Sequence, residues 1–183
     1  MGGAVVLALV GRRIDAPEAA TPAFPGANVE RVRADLLQLL NDQSVNVLVC
    51  SAACGADLLA LEAAETLGIR RQIILPFEVG RFRAGSVVDR PGNWGPIFDR
   101  IVAAAANDGG LAVLSLESSE DDSYVQTNHT ILEVAIGLAS STGDRPAAAV
   151  VWDGVPRENG DFTDSFRKVA MARGLEVFEI STR

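Results

Sequence analysis

Several residue types that build common functional sites are scarce in this sequence. Its 183 residues include one histidine and two cysteines, Cys50 and Cys54, which is too few for the usual ligand sets of zinc or iron–sulfur centres. Two cysteines also exclude the disulfide framework of a small secreted protein, so a cytoplasmic location is expected. The apolar run Val5–Val10 is too short to span a bilayer and has no basic segment before it. No metal, cofactor or membrane partner is therefore predicted.

Positive charge is also in short supply. Acidic residues outnumber basic ones by 24 to 16, which gives a formal net charge of −8, and no run of basic residues exceeds two. A long nucleic acid needs a continuous basic face, so it is excluded as a partner. A small phosphorylated ligand, held by a few arginines, is compatible with this composition.

Short apolar runs alternate with helical patterns along the whole chain. Most of the runs are continuous, which is typical of strands covered on both faces. The predicted strands are Val5–Val10, Val45–Cys50, Gln72–Pro76, Leu111–Leu116, Ala148–Trp152 and Glu176–Ile180. The predicted helices are Val29–Leu40, Ala56–Leu67, Trp94–Ala106, Tyr124–Ala139 and Thr163–Arg173. This alternation predicts a single α/β domain over residues 1–183, three-layered and Rossmann-like, with a mainly parallel six-stranded sheet and helices on both faces.

Candidate site residues follow the first predicted strand, because ligands bind at the carboxyl ends of strands in open α/β sheets. Gly11 permits close approach of the backbone to a ligand, and Arg12 and Arg13 can neutralise a phosphate. Asp15 belongs to the same connection. No G-x-G-x-x-G fingerprint is present, which argues against a nicotinamide-dependent dehydrogenase. The alternative is a surface turn with solvated arginines.

The second predicted strand leads through a turn of small residues into a helix. Backbone N–H groups at such a helix N-terminus favour an anion, and Ser51 adds a hydroxyl group. The predicted anion-binding segment is Ser51, Ala52, Ala53, Cys54, Gly55 and Ala56. Asp57 is predicted to orient a neighbouring loop, and the alternative is an ordinary strand-to-helix turn. No base is identifiable for Cys54, so a catalytic cysteine is not predicted.

The third predicted strand leads into a segment in which Arg81 and Arg83 flank Phe82. An aromatic ring with adjacent cations can cover a base and its phosphate. Arg83 and Ser86 are therefore candidate ligand contacts. The alternative is a loop whose aromatic side chain covers the edge of the sheet.

Glu117 and several other acids follow the fourth predicted strand. Tyr124, Thr127 and Asn128 come next, at a spacing that places them on one helical face. Their hydroxyl and amide groups suit a sugar or a base, so they are predicted ligand contacts together with Glu117. The alternative for the acidic segment is a solvated loop or the N-terminus of a helix. The single histidine, His129, is predicted to be structural or exposed.

The fifth predicted strand ends in Asp153 and Gly154, which are also placed at the ligand-facing edge of the sheet. Asp161 or Thr163, further along the chain, is expected to cap the last helix.

The turn Ser51-x-Ala53-x-Gly55-x-Asp57 resembles the G-x-A-x-G-x-D turn of the SMF/DprA–LOG (SLOG) superfamily of Rossmann-like nucleotide-binding domains. Four further segments are similar to a bacterial branch of that superfamily without an assigned activity: Gly11-x-x-Ile14-Asp15, Leu75-Pro76-Phe77 with Phe82-Arg83-x-x-Ser86-Val87, Trp152-Asp153-Gly154, and Asn159–Phe166. The resemblance implies a pocket for a nucleotide or a nucleotide derivative along the strand ends.

LOG-type members of the superfamily are phosphoribohydrolases with a P-G-G-x-G-T-x-x-E turn, and Glu117-Ser118-Ser119 stands after Leu116 here. The leading prediction is therefore binding or sensing of a nucleotide-like molecule. The first alternative is a nucleotide N-glycosidic hydrolase that uses Asp57, Glu117 or Glu133. The second is an interaction module whose loops bind protein. A homodimer is expected by analogy with other parallel sheets.

Overall fold

The apolar runs pair into one fully parallel sheet in the computed structural model, which describes residues 3–158 and 160–183. The strands are β1 (Val5–Gly11), β2 (Val45–Cys50), β3 (Arg70–Leu75), β4 (Leu111–Val113), β5 (Arg145–Trp152) and β6 (Glu176–Ser181). Their order in the sheet is β4-β3-β2-β1-β5-β6. The chain thus builds outward from β1 in one direction, and then returns to add β5 and β6 on the other side.

Helices cover both faces of this sheet. They are α1 (Val29–Asp42), α2 (Ala56–Thr66), α3 (Val79–Ser86), α4 (Trp94–Asn107), α5 (Glu120–Thr142) and α6 (Phe162–Ala172), and a short 3-10 helix, Gly26–Asn28, precedes α1. One core layer joins side chains of α1, α2, α3 and α4 to the sheet, with Leu36 and Phe98 among its fully buried members. The other joins α5 and α6 to the opposite face through residues such as Ile131 and Phe166. The predicted three-layer, Rossmann-like α/β fold is confirmed.

The local boundaries differ from the prediction in two places where a polar side chain starts a helix. Residues 79–86 form α3, although a loop was predicted there, because the Glu78 carboxylate accepts hydrogen bonds from the N–H groups of Gly80 and Arg81. Helix α5 begins at Glu120, before the predicted Tyr124, because the Ser119 hydroxyl accepts from the Asp122 N–H. The acidic segment is therefore the first turn of a helix, where carboxylates favour the positive end of the dipole.

Strand β4 is shorter than predicted and ends at Val113. Ser115 has a left-handed φ of 51°, which interrupts the extended backbone. Among the residues that the structure describes, no helix combines the length and the apolar character needed to cross a membrane.

Candidate functional site

A cleft of about 860 Å³ lies over the carboxyl ends of the central strands, beside the position where the strand order reverses between β1 and β5. Twelve of the nineteen predicted site residues line it: Gly11, Arg12, Arg13, Asp15, Ser51, Ala53, Asp57, Ser86, Tyr124, Thr127, Asn128 and Asp153. The other seven, which are Ala52, Cys54, Gly55, Ala56, Arg83, Glu117 and Gly154, are not among its lining residues. The fold therefore brings together residues from all five strand exits that the sequence singled out.

Two glycines allow the floor of the cleft to form. A Cβ atom on Gly11 would stand 2.4 Å from the Cβ of Ala56 and 2.7 Å from the carbonyl oxygen of Val151. Gly55 has a φ of +95°, and a Cβ there would lie 2.8 Å from the carbonyl oxygen of Arg12. Both positions require glycine because β1, β5 and the start of α2 approach one another closely. Gly55 thus supports the cleft from below and does not line it.

The turn before α2 uses several of its N–H groups inside the protein. The Ala53 N–H donates to the Asp57 carboxylate at 3.1 Å. The Cys54 N–H donates to the carbonyl oxygen of Ser86, and the Ala56 N–H to that of Arg12. The predicted anion-binding floor of backbone groups is thus largely occupied by protein acceptors. Ala52, Cys54 and Ala56 are fully buried in the core layer behind the turn.

Among the residues that the structure describes, two buried side-chain polar atoms of this cleft lack a hydrogen-bond partner within 3.5 Å, although the Arg13 side chain also lies near the Cys54 thiol. They are the hydroxyl oxygen of Ser51 and the Nε atom of Arg13, and both residues line the cleft. Most buried polar side-chain atoms in proteins are hydrogen-bonded, so such atoms need an explanation. A ligand with acceptor oxygens supplies one.

Protein acceptors hold Arg12 through four of the five N–H groups of its guanidinium. Its Nε donates to Asp153 at 3.0 Å, its two terminal nitrogens form a bidentate pair with Asp161 at 2.9 and 2.6 Å, and one also donates to the carbonyl oxygen of Val155. Burial acts to lower the pKa of Arg12, but the hydrogen bonds and charges of Asp161 and Asp153 raise it overall. Arg12 was predicted to neutralise a phosphate; the structure instead makes it a clamp that joins β1, the loop after β5 and the start of α6.

Asp161 is the partner that completes this clamp, and it also caps α6 as the sequence suggested. Its carboxylate accepts from the N–H groups of Arg157, Thr163 and Asp164. Burial acts to raise the pKa of Asp161, but the hydrogen bonds from Arg12 and from the backbone lower it overall. Asp161 is therefore held as a carboxylate.

The other two predicted arginines, Arg13 and Arg83, differ in their ion pairs and in their position relative to the cleft. Arg13 donates to the carbonyl oxygen of Gly85 and to Asp89, and Asp89 also pairs with Arg90 at 3.4 Å. Arg83 lies outside the cleft, because its guanidinium group forms a two-point pair with Asp99 at 2.7 and 2.9 Å. The predicted contact between Arg83 and a ligand is not supported by this placement.

Asp57 is the one lining carboxylate with a strongly raised pKa. It is 8 % exposed, and burial raises its pKa from 3.8 to about 7, against the opposing effects of the Ala53 N–H and the charge of Arg13. Its carboxylate braces the turn through Ala53, which agrees with the orienting role expected from the sequence. A carboxyl group with such a pKa in a cleft can also exchange a proton near neutral pH.

The wall opposite the turn carries aromatic and polar groups from α5 and α6. The Tyr124 hydroxyl group lies 2.7 Å from that of Ser86, and the Tyr124 ring contacts the rings of Phe77 and Phe162. The Asn128 amide donates to the carbonyl oxygen of Phe162 at 3.3 Å. Thr127 is almost fully buried and donates to the α5 backbone. These contacts hold one aromatic and one amide group at the edge of the cleft.

The remaining candidates have structural or peripheral positions. Asp15 accepts from the N–H groups of Ala23 and Phe24 and so fixes the loop after β1. Glu117 is exposed outside the cleft, and Glu133 pairs with Arg173 at 2.7 Å between α5 and α6. His129 is exposed, as expected. Burial raises the pKa of Cys54, so its thiol is not activated.

Sequence reasoning missed several lining residues that come from segments distant in the chain, above all Arg90, Arg157 and Arg183. Arg90 follows an unpredicted helix, and Arg157 lies in the long connection after β5. The position of Arg157 in this connection is a signal that could have identified it, because long loops after strands line ligand sites in this fold class.

Comparisons with known proteins add little to this geometry. No family model and no curated protein matches the chain. Among solved structures, DNA processing protein A (DprA) from Streptococcus pneumoniae is 14% identical with a TM-score of 0.43, over 96% of this chain and 58% of that one. The arginine decarboxylase of Paramecium bursaria Chlorella virus, bound to agmatine, is 12% identical with a TM-score of 0.26, over 81% and 42%. The chain thus spans little more than half of DprA. Membership of the SLOG superfamily stays a prediction.

Proposed function

We propose that this protein binds a nucleotide or a nucleotide-derived small molecule in the cleft at the carboxyl ends of its strands. The observation that carries the proposal is the concentration of arginine there. In a chain with a net charge of −8, five arginines line the cleft against four carboxylates: Arg12, Arg13, Arg90, Arg157 and Arg183, against Asp15, Asp57, Asp153 and Glu158. The volume of about 860 Å³ lies within the range of small-molecule sites.

The lining divides into groups suited to the parts of a nucleotide. Ser51 and Arg13 offer donors that have no protein partner, which suits a phosphate oxygen. The rings of Tyr124 and Phe162 offer apolar faces for a base. The Asn128 amide can bond to a sugar or to the edge of the base. Cleft position, charge and group chemistry thus support the same ligand class.

The proposal is tested by titration calorimetry with nucleosides and with their mono-, di- and triphosphates. We expect phosphorylated members to bind more tightly than about 1 mM, and unphosphorylated nucleosides to bind more weakly. Ser51→Ala should weaken the binding, while Ser141→Ala, on the exposed end of α5, serves as the matched control. The proposal is refuted if no member of the panel binds.

A second candidate function, hydrolysis of an N-glycosidic bond, is favoured by one observation. Of the three carboxylates considered for it, only Asp57 lies in the cleft, and its pKa is raised to about 7. A protonated Asp57 would donate its proton to the base as the bond from C1′ to the base nitrogen breaks, the base keeping the electron pair. Water would then add to C1′ and return a proton to the carboxylate. The products are the free base and a ribose phosphate.

Chromatography of the reaction mixture distinguishes this candidate from binding alone. Base released by the wild-type protein, lost in Asp57→Asn and retained in Glu133→Gln, would support hydrolysis. Glu133 is a suitable control because it pairs with Arg173 outside the cleft and its replacement is the same exchange of a carboxyl group for an amide. Absence of base release from every nucleotide that binds would refute the hydrolase.

A further inference from the structure

The width of the cleft is set by the sheet beneath it. Its lining includes Ser51 after β2, Gly11 at the end of β1, Asp153 after β5 and Arg183 just beyond β6. These four strands are adjacent, so the cleft crosses three strand spacings, or roughly 14 Å of sheet. Its two sides can therefore hold different parts of one ligand.

The first flank, at the β2 side, is formed by Ser51, Arg13 and Arg90. Asp89 pairs with both arginines. One carboxylate therefore faces two guanidinium groups, and one positive charge is left over. The Ser51 hydroxyl oxygen and the Arg13 Nε atom are buried there without a protein partner. Asp57, which also lies on this side, is largely uncharged below neutral pH because burial raises its pKa. The first flank thus offers unused donors and a surplus positive charge to an anion.

The second flank, at the β5–β6 side, is formed by Arg157 and Arg183. Arg183 pairs with Asp153 at 3.1 Å and donates to the carbonyl oxygen of Pro22. Arg157 is exposed, lines the cleft, and forms no ion pair within the described ranges 3–158 and 160–183. The neighbouring Glu158 also lines the cleft, but it is exposed and forms no ion pair with Arg157. Arg157 therefore supplies an uncommitted cation on this flank.

Between the flanks, the cleft has no free cation among its described residues. Arg12 lies there, but each nitrogen of its guanidinium group already donates a hydrogen bond to Asp153, to Asp161 or to the carbonyl oxygen of Val155. An anion at the centre would face these carboxylates without a partner of its own. Each flank thus carries an arginine that is not fully paired with a carboxylate, and the described residues place none between the flanks.

We infer, building on the proposed function, that the ligand carries two separate anionic groups, one bound at each flank, with an uncharged portion between them. A nucleoside bisphosphate or a dinucleotide with a terminal phosphate has this chemistry, whereas a nucleoside monophosphate satisfies one flank only. The second anionic group is bound by Arg157, and the first by the Ser51–Arg13–Arg90 group.

Three probes test this inference by calorimetry: adenosine 5′-monophosphate, adenosine 3′,5′-bisphosphate, and the dinucleotide of adenosine with a 5′-phosphate. The guanosine counterpart of each probe is tested as well. At least one two-anion probe should bind roughly tenfold more tightly than the monophosphate, as an added charge-assisted contact predicts. Arg157→Gln should abolish this advantage, and Arg90→Gln should weaken the two-anion probes as well. Arg70→Gln, an exposed arginine at the amino end of β3, is the control for net charge.

The outcomes separate this inference from the proposed function. Equal affinity for the monophosphate and both two-anion probes would overturn the inference and leave nucleotide binding intact. An Arg157→Gln variant that behaves like Arg70→Gln would also overturn it. Absence of binding by every probe would overturn both. Thermal unfolding of each variant shows whether it is folded, and because Arg157, Arg90 and Arg70 are not buried, their replacement should leave the midpoint unchanged.

Discussion

Replacement of Asp57 by asparagine should remove a specific part of the pH dependence of stability. The native Asp57 carboxyl has a pKa near 7 because it is buried, whereas its ordinary value is 3.8. Between these pH values the native state keeps a proton that the unfolded chain has already lost. The free energy of unfolding therefore falls as the pH rises through this window. Stabilisation by the buried neutral form is complete below about pH 4 and is lost towards pH 7.

The size of the effect follows from the shift in pKa. A shift from 3.8 to about 7 corresponds to roughly 4 kcal/mol, since each unit is worth about 1.4 kcal/mol. Asparagine is uncharged at every pH, and its side-chain oxygen can accept the same hydrogen bond from the Ala53 N–H. The Asp57→Asn variant should therefore match the wild type near pH 4 and exceed its stability by several kcal/mol near pH 8.

Urea unfolding at pH 4.5 and pH 8, followed by circular dichroism, measures this difference. Other carboxylates titrate too; Asp161, for example, has a lowered pKa and contributes the opposite slope. These contributions cancel when the variant is compared with the wild type at each pH. Glu133→Gln controls for the loss of one charge. Parallel pH profiles for Asp57→Asn and the wild type would refute the reasoning.

Three other substitutions test the structure of the cleft. Arg12→Met should destabilise the protein by about 3–5 kcal/mol in urea unfolding, because it leaves the buried Asp161 carboxylate without its guanidinium partner, whereas Asp153 keeps its pair with Arg183; a loss below about 1 kcal/mol would contradict that arrangement. Gly11→Ala should cost about 1–3 kcal/mol or more in the same assay, because the new methyl group would stand 2.4 Å from Ala56; an unchanged midpoint would show that the floor has room. Ser51→Ala should leave stability unchanged or raise it by about 1 kcal/mol, because the lost hydroxyl has no protein partner, and a clear destabilisation would reveal a hidden hydrogen bond.

Local sequence patterns predicted most of the helices and strands. Apolar runs mark all six strands, and they are continuous in the central strands β1 and β5, which are covered on both faces. Helix α3 was missed because its start depends on a single carboxylate cap at Glu78, and because its eight residues bury little beyond Phe82 and Ser86. A short helix of this kind leaves no periodic pattern.

The residues that follow the predicted strands correctly located the site at the carboxyl edge of the sheet. They did not predict the role of each residue there. Arg12 and Arg13 are adjacent in sequence and equivalent in charge, yet Arg12 pairs with two buried carboxylates and Arg13 with one half-exposed one. Its partners Asp153 and Asp161 lie 141 and 149 residues away in the chain. No local pattern can contain that information.

The sequence by itself determined that this protein is an acidic, parallel α/β protein whose special residues gather at the carboxyl ends of its strands. Apolar periodicity and the handedness of strand crossovers are local properties, and they suffice for that result. Only the tertiary structure decided which arginines are available to a ligand. Arg12 is paired with aspartates inside the protein, Arg83 is paired with Asp99 outside the cleft, and Arg157 lines the cleft without an ion pair among the described residues. Ion pairing depends on distance in space rather than on distance along the chain, and the fold alone sets that distance.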